Sequence, residues 1–337
     1  MSKIKVGIIG VSGYTGLELA KMLASHPVFE LVYVSNTEGG TTLANLHPSL
    51  LGVYDLEVKK ADSVEAAKAC ELVFLALPHK AAMGTAKELL EFGVKVVDLS
   101  ADYRTSKESY EANYCPHEDL ENLSHAVYSI PELHGEAAKG ARLIANPGCH
   151  VTATLLALVP FLPYIDLDAP IFVDSKTGVS GAGKSPTAST HYVSVNENVN
   201  HYNIIKHRHA AEINEHASKL FGKKVEITFA PTLLPMTRGM MASVYATLST
   251  EVEPLKILEQ AYQGKEFIRV RGEPVHTKAV SGTNYADLYA AKNKKALVSF
   301  CAIDNLMRGA SSQALVNANI MCSLAEGTGV PKIAYTP

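Results

Sequence analysis

Short apolar strands alternate with helical patterns through the first 150 residues, and this rhythm restricts the fold more than any other feature. Ile4, Val6, Ile8 and Ile9 read as a buried strand, and Leu17, Ala20, Leu23 and Ala24 then recur at helical spacing. Further strands are expected over 31–34, 72–77 (ended by Pro78), 94–99 and 143–145, with a helix over 81–92. Strands joined by helices pair in parallel through right-handed crossovers, so an N-terminal Rossmann doubly wound sheet is expected. After about residue 165 the rhythm changes. Strands are expected over 171–173, 225–229, 241–248, 267–270, 285–290 and 297–303, with only two clear helices among them. Few intervening helices imply a mostly antiparallel sheet, hence an α+β second domain. The segment 308–325 reads as one long helix that packs back on one of the domains.

A length of 337 residues agrees with two domains. With 47% hydrophobic and 19% charged residues, the chain can bury enough surface to offset its ordering entropy, which excludes disorder as its main state. A net charge of −3 advertises no basic face, so no nucleic-acid partner is expected. The longest apolar stretch, 153–162, contains Pro160 and is too short to span a membrane. The N-terminal residues lack a cleavable apolar segment. The five cysteines are scattered, without a CxxC pair. No disulfide framework and no metal site is expected, and a reducing cytoplasm fits best.

The first strand runs into Gly10-Val-Ser-Gly13-Tyr-Thr-Gly16. Glycines between a strand and a helix permit a tight turn, admit a pyrophosphate to the backbone and expose the helix N-terminus to it. The spacing is GxxGxxG rather than GxGxxG, so a plain βα turn is the alternative. Gly10, Ser12, Gly13, Tyr14, Thr15 and Gly16 are the expected cofactor loop. The second strand ends Ser35-Asn36-Thr37, without the acid that reads an NAD ribose, so Ser35 and NADP are favoured. Glu38 follows closely and keeps NAD open.

At Asn146-Pro147-Gly148-Cys149 a strand ends, the chain turns, and Cys149 begins an apolar helical run. A helix N-terminus stabilises a thiolate and lowers its pKa. At the end of a parallel strand, on the edge that carries the glycine loop, such a thiolate would stand beside a bound nicotinamide. A small buried hydrophobe is the bland alternative. Cys70, Cys301 and Cys322 sit in apolar patterns and read as core.

With these segments in view, the chain resembles the N-acetyl-γ-glutamyl-phosphate reductase family, the arginine-biosynthetic branch of the aspartate-semialdehyde dehydrogenase-like group. The resemblance runs from the glycine loop through Asp98-Leu-Ser100-Ala101-Asp102-Tyr103-Arg104, Asn146-Pro147-Gly148-Cys149, Ser180-Gly181-Ala182-Gly183 and Asn196-Glu197-Asn198. It continues through Lys206-His207-Arg208-His209, Met236-Thr237-Arg238-Gly239 and Asp304-Asn305, ending with Gln313. His150 and Val151 depart from the Tyr and Pro common in the family, and Ser311-Ser312 from its usual Ala-Gly. The resemblance implies an NADP-binding domain over 1–148, completed by a C-terminal helix 309–337, and a catalytic and dimerisation domain over 149–308. It also implies a homodimer or homotetramer.

The implied activity is reduction of a small acyl phosphate, with Cys149 as nucleophile and a thioester intermediate. The acid–base group is His209 or His207. On a helix the two would lie about 200° apart, which argues against a two-histidine chelate. Resemblance favours His209. Arg104 is expected at the substrate phosphate and Arg238 at the substrate carboxylate, since guanidinium binds either bidentately. Ser100, Asn146 and Glu197 complete the implied substrate set. Ser180 and Gly181 form a loop over the ligands, and Asn305 and Gln313 are expected at the nicotinamide amide. Rival readings are a reductase of the one-methylene-longer lysine-pathway acyl phosphate and a non-catalytic NADP-binding sensor.

Overall fold

The structure is a computed structural model describing residues 3–335; Met1, Ser2, Thr336 and Pro337, the last two within the expected C-terminal segment, lie outside the described residues. The chain divides into two compact units. Of the described residues, one unit holds 3–147 together with Ala310–Pro331, the other Gly148–Gly309 and 332–335.

The first unit is built on strands β1 (Ile4–Ile9), β2 (Phe29–Asn36), β3 (Thr41–Thr42), β4 (Glu57–Lys60), β5 (Leu72–Leu75), β6 (Lys95–Asp98), β7 (Val127–Tyr128) and β8 (Leu143–Ala145). They form one eight-stranded sheet in the order β3-β4-β2-β1-β5-β6-β8-β7. Every pairing is parallel except β3 with β4. The expected doubly wound sheet is therefore present. Its central strands are apolar on both faces, as helix-covered parallel strands must be: Val6, Ile8, Leu72, Val73, Phe74 and Leu75 are all fully buried. The third strand is shorter than the apolar run 72–77 implies, because pairing with β1 and β6 ends at Leu75. Gly10 leaves β1 with φ +97°, where a Cβ would meet Ala76 O at 2.3 Å, so only glycine fits this turn.

The second unit carries β9 (Ile171–Gly178), β10 (Asn200–His201), β11 (Ile227–Leu234), β12 (Met240–Thr247), β13 (Ile268–Val270), β14 (Ala286–Asn293) and β15 (Ala296–Ile303). Their order is β10-β11-β9-β12-β15-β14-β13. The sheet is mixed. Antiparallel pairs predominate, and β11 with β9 and β13 with β14 run parallel. The helix Cys149–Leu158 packs on β12 and β15 and is buried on every side from His150 to Leu158.

The expected single helix, over 308–325 by pattern and 309–337 by resemblance, is a correction. A π-helical turn, Met307–Ser311, precedes the α-helix Ser312–Met321, and Ser323 at φ +59° lies beyond its end. The division between units falls inside the π turn, and Ser312–Met321 packs in the first unit against the helix Tyr14–Leu23 and β6. Among the described residues, no helix is long and apolar enough to cross a membrane.

Candidate active site

Chemistry-bearing residues gather in each unit. In the first, the glycine loop ends at Gly13, which caps the helix Tyr14–Leu23 without any side-chain cap. A Cβ on Gly16 would strike Gly10 O at 2.6 Å, whereas one on Gly13 would meet only Gly10 O at 3.8 Å. The loop is thus tight where strand meets helix and open at the helix N-terminus, the form a pyrophosphate requires. Tyr14 is half-exposed, and Thr15 O accepts the Ser311 hydroxyl at 2.9 Å. Gln313 is fully buried, and neither end of its carboxamide has a hydrogen-bond partner among the described residues. A buried amide in that state suits an amide-bearing ligand. These features fit a nicotinamide dinucleotide.

Ser35 is fully buried, its Oγ also without a partner, and its carbonyl accepts the N–H groups of Gly10 and Val11. Asn36 turns its Oδ1 to the N–H groups of Glu38 and Gly39. The end of β2 is therefore shaped by an Asx turn, as short polar side chains favour.

Beyond β6 the segment from Asp98 to Arg104 forms a buried polar knot. Ser100 donates to Asp98 Oδ2 at 2.7 Å and accepts Asp102 N–H at 3.0 Å. Arg104 donates from Nε to Asn146 O at 2.7 Å and from Nη2 to Leu99 O at 2.8 Å. Asn146 donates to Ala310 O at 3.1 Å and accepts from Asn317 at 3.1 Å. Three of the expected substrate residues are therefore brought together, each also holding the fold.

Burial pushes the Asp98 carboxyl up to about 7, with Asp102 adding to the rise and the Ser100 hydrogen bonds opposing it. Its folded value exceeds its ordinary 3.8, so the folded state keeps a proton that the unfolded state has lost between those limits. Stability from this group is full below the lower limit and is lost as pH rises through the upper one. Asp98→Asn should therefore gain on the parent protein as pH rises from 4 to 7, by up to about 1.4 kcal/mol per pH unit, and level off above. Urea unfolding across that range checks it; a difference that does not change with pH would refute it.

In the second unit Cys149 is the first residue of the helix Cys149–Leu158, with Gly148 as its N-cap. Gly148 N–H donates to the buried Glu212 carboxylate at 3.0 Å. His150 is buried, 2.7 Å through Nδ1 from Ser175 Oγ on β9 and 2.9 Å through Nε2 from the Tyr202 hydroxyl. Ring centroids of His150 lie 5.4 Å from His207 and 5.5 Å from His209, and those of His207 and His209 are 4.8 Å apart.

The helical-separation argument for the two histidines fails here. The helix starts at Arg208, and His207 is its extended N-cap, so its ring is free to turn toward that of His209. His207 Nδ1 accepts His209 N–H at 3.1 Å, which requires a lone pair there and places the ring proton on Nε2. Burial holds His207 down at about 4, with Arg208 acting in the same direction. Burial, with His207 assisting, holds His150 down at about 3. Both rings are neutral at pH 7.

Asn305 spends both ends of its amide inside this unit, accepting Gly239 N–H at 2.8 Å and donating to Ser180 Oγ at 3.0 Å. Gly181 lies against the same group, 3.7 Å from its Nδ2 to a would-be Cβ. Arg238 faces the Asp304 carboxylate at 3.4 Å and contacts the Tyr335 hydroxyl. Glu197 is exposed, with φ +54°. Sequence reasoning assigned no role to His150, Tyr202, Glu212 or Ser175, although His150 stood out as a departure from the family pattern.

Two units of this kind, one with a dinucleotide loop and one presenting a cysteine at a helix start, define a semialdehyde dehydrogenase-type oxidoreductase. The models for the semialdehyde dehydrogenase NAD binding domain and dimerisation domain match residues 5–141 and 149–305. The chain is similar in fold to aspartate semialdehyde dehydrogenase II of Vibrio cholerae, at a TM-score of 0.72, 16% identity, and coverage of 96% of this chain and 99% of that one. Much nearer in sequence are N-acetyl-gamma-glutamyl-phosphate reductases. That of Sulfurovum sp. is 58% identical, covering 99% of this chain and all of that protein, and that of Wolinella succinogenes 58% identical with both chains covered completely. The chain belongs to the N-acetyl-gamma-glutamyl-phosphate reductase family.

Proposed function

We propose that this protein reduces N-acetyl-γ-glutamyl phosphate to N-acetylglutamate semialdehyde and phosphate in arginine biosynthesis, with NADPH as reductant. The observation that carries the chemistry is Cys149 at a helix start with ligating atoms of His150 and His209 within 4.8 Å. The Cys149 sulfur attacks the acyl carbon, the C–O bond to phosphate breaks, and a thioester remains on the protein. A nicotinamide held by the glycine loop would supply the hydride that reduces this thioester; the resulting thiohemiacetal on Cys149 then collapses to the aldehyde and returns the sulfur.

His209 is assigned the proton transfers, at the cysteine sulfur and at the thiohemiacetal oxygen. His207 is the weaker candidate, because its Nδ1 lone pair is engaged by His209 N–H and its other nitrogen can only donate. Tyr202, fixed by His150, adds a hydroxyl to the same cluster. Arg104, oriented by its bonds to Asn146 O and Leu99 O, is assigned to the substrate phosphate. Arg238, turned by Asp304, is assigned to the substrate carboxylate. Gln313 is assigned to the nicotinamide amide, and Asn305 to holding Ser180 and Gly181 in place.

NADP is preferred to NAD because β2 ends Ser35-Asn36 with no acid at its tip. Phosphate-dependent oxidation of N-acetylglutamate semialdehyde should produce NADPH, at a kcat/KM at least tenfold that with NAD. Equal rates with both cofactors would refute the cofactor assignment, and no phosphate dependence would refute the reaction.

A further inference from the structure

We infer that Cys149, His150 and His209 also form a binding site for a thiophilic divalent cation, Zn²⁺ foremost, whose occupancy switches the nucleophile off. One ligating atom from each residue lies within 4.8 Å of the others. Tetrahedral zinc takes sulfur at about 2.3 Å and imidazole nitrogen at about 2.0–2.1 Å, which sets neighbouring ligand atoms about 3.3–3.6 Å apart. The three side chains need close by only about an ångström, a matter of torsions. One thiolate and two imidazoles with the fourth position left to water select zinc over magnesium or calcium, which take oxygen ligands.

The surroundings favour a cation. His150 is held between Ser175 Oγ, 2.7 Å from Nδ1, and the Tyr202 hydroxyl, 2.9 Å from Nε2; the nitrogen that takes the metal gives up one of these bonds, and the other orients the ligating imidazole. Glu212, buried and accepting Gly148 N–H at 3.0 Å, anchors the backbone one residue before the ligating sulfur. Binding forms a sulfur–metal bond and releases the thiol proton to solvent. That bond occupies the electron pair the acyl carbon would receive. The inhibitory consequence rests on the reductase reading; the site itself does not.

The test is titration of the full-length, metal-free protein with Co²⁺. One equivalent should raise a near-ultraviolet thiolate-to-cobalt band together with visible bands of tetrahedral cobalt, both displaced by Zn²⁺. The charge-transfer band should vanish in Cys149→Ser and need at least tenfold more Co²⁺ in His150→Asn and His209→Asn. Should either histidine variant misfold, Zn²⁺ should still protect Cys149 of the parent protein from iodoacetamide, with EDTA restoring alkylation. A tetrahedral thiolate band that persists in Cys149→Ser, or no band in the parent, overturns the site. Micromolar Zn²⁺ should suppress turnover at least tenfold and EDTA restore it; undiminished turnover of zinc-loaded protein overturns the switch. A metal-free protein with no reductase activity overturns the functional reading instead, and the cobalt titration still decides the site.

Discussion

Cys149→Ala should lower NADPH-forming turnover by about 10⁴-fold or more, the usual scale for removing a nucleophile that forms the covalent intermediate. The thermal midpoint should stay within a few degrees of the parent. Cys149 is only part-buried, and its replacement removes one sulfur at a helix start. Alanine keeps the helix, and Gly148 N–H keeps its bond to Glu212. Lost turnover with unchanged folding therefore isolates the sulfur. A variant that retains more than about one hundredth of the parental rate in purified form would sink the thioester mechanism, since no other cysteine stands in this cluster. Cys70 and Cys301 are buried, and burial pushes the Cys70 thiol up to about 12.

The doubly wound sheet was legible because its central strands are apolar on both faces, and β1, β5 and β6 fall within or close to the expected runs. Strands β3, β4 and β7 were missed for the opposite reason. Thr41–Thr42 and Val127–Tyr128 are two-residue pairings, and Glu57–Lys60 buries only Val58, so none shows a period. The antiparallel pairings of the second sheet were legible from strands that follow one another with few helices between. The parallel pair β11 with β9 joins strands separated by β10, and β13 with β14 joins consecutive strands through a long connection; pattern alone does not say which strands meet or in which direction.

Cys149 was visible in its setting, because Pro-Gly before an apolar run marks a helix start. The histidine cluster was not. Placing His207 and His209 on one helix gave opposite directions, and one residue of N-cap geometry reverses that conclusion. His150 carried no local signal beyond its departure from the family pattern. Its contacts come from Ser175 and Tyr202, which only the folded unit brings to it.

Gly309→Ala should cut kcat by about 100-fold while changing KM little, because a misplacement of about 1 Å at a reacting group costs that much. Gly309 lies in the π-helical turn Met307–Ser311, where its N–H reaches back to Asp304 O at 2.9 Å. A Cβ there would sit 2.6 Å from Cys149 Cβ and 3.2 Å from Cys149 Cα. Neither contact is with the far end of a flexible side chain, so relief has to come from the start of the Cys149–Leu158 helix or from the π turn. The same overpacking should destabilise the second unit by about 1–3 kcal/mol. Gly272→Ala is the matched control, since a Cβ there meets nothing within 4 Å, and it should leave both quantities unchanged. If Gly309→Ala loses stability but keeps kcat within twofold, the turn yields rather than the nucleophile, and the glycine serves only the packing. If kcat falls while iodoacetamide still alkylates Cys149, the sulfur is present and reactive but out of line, and the π turn is what sets its position.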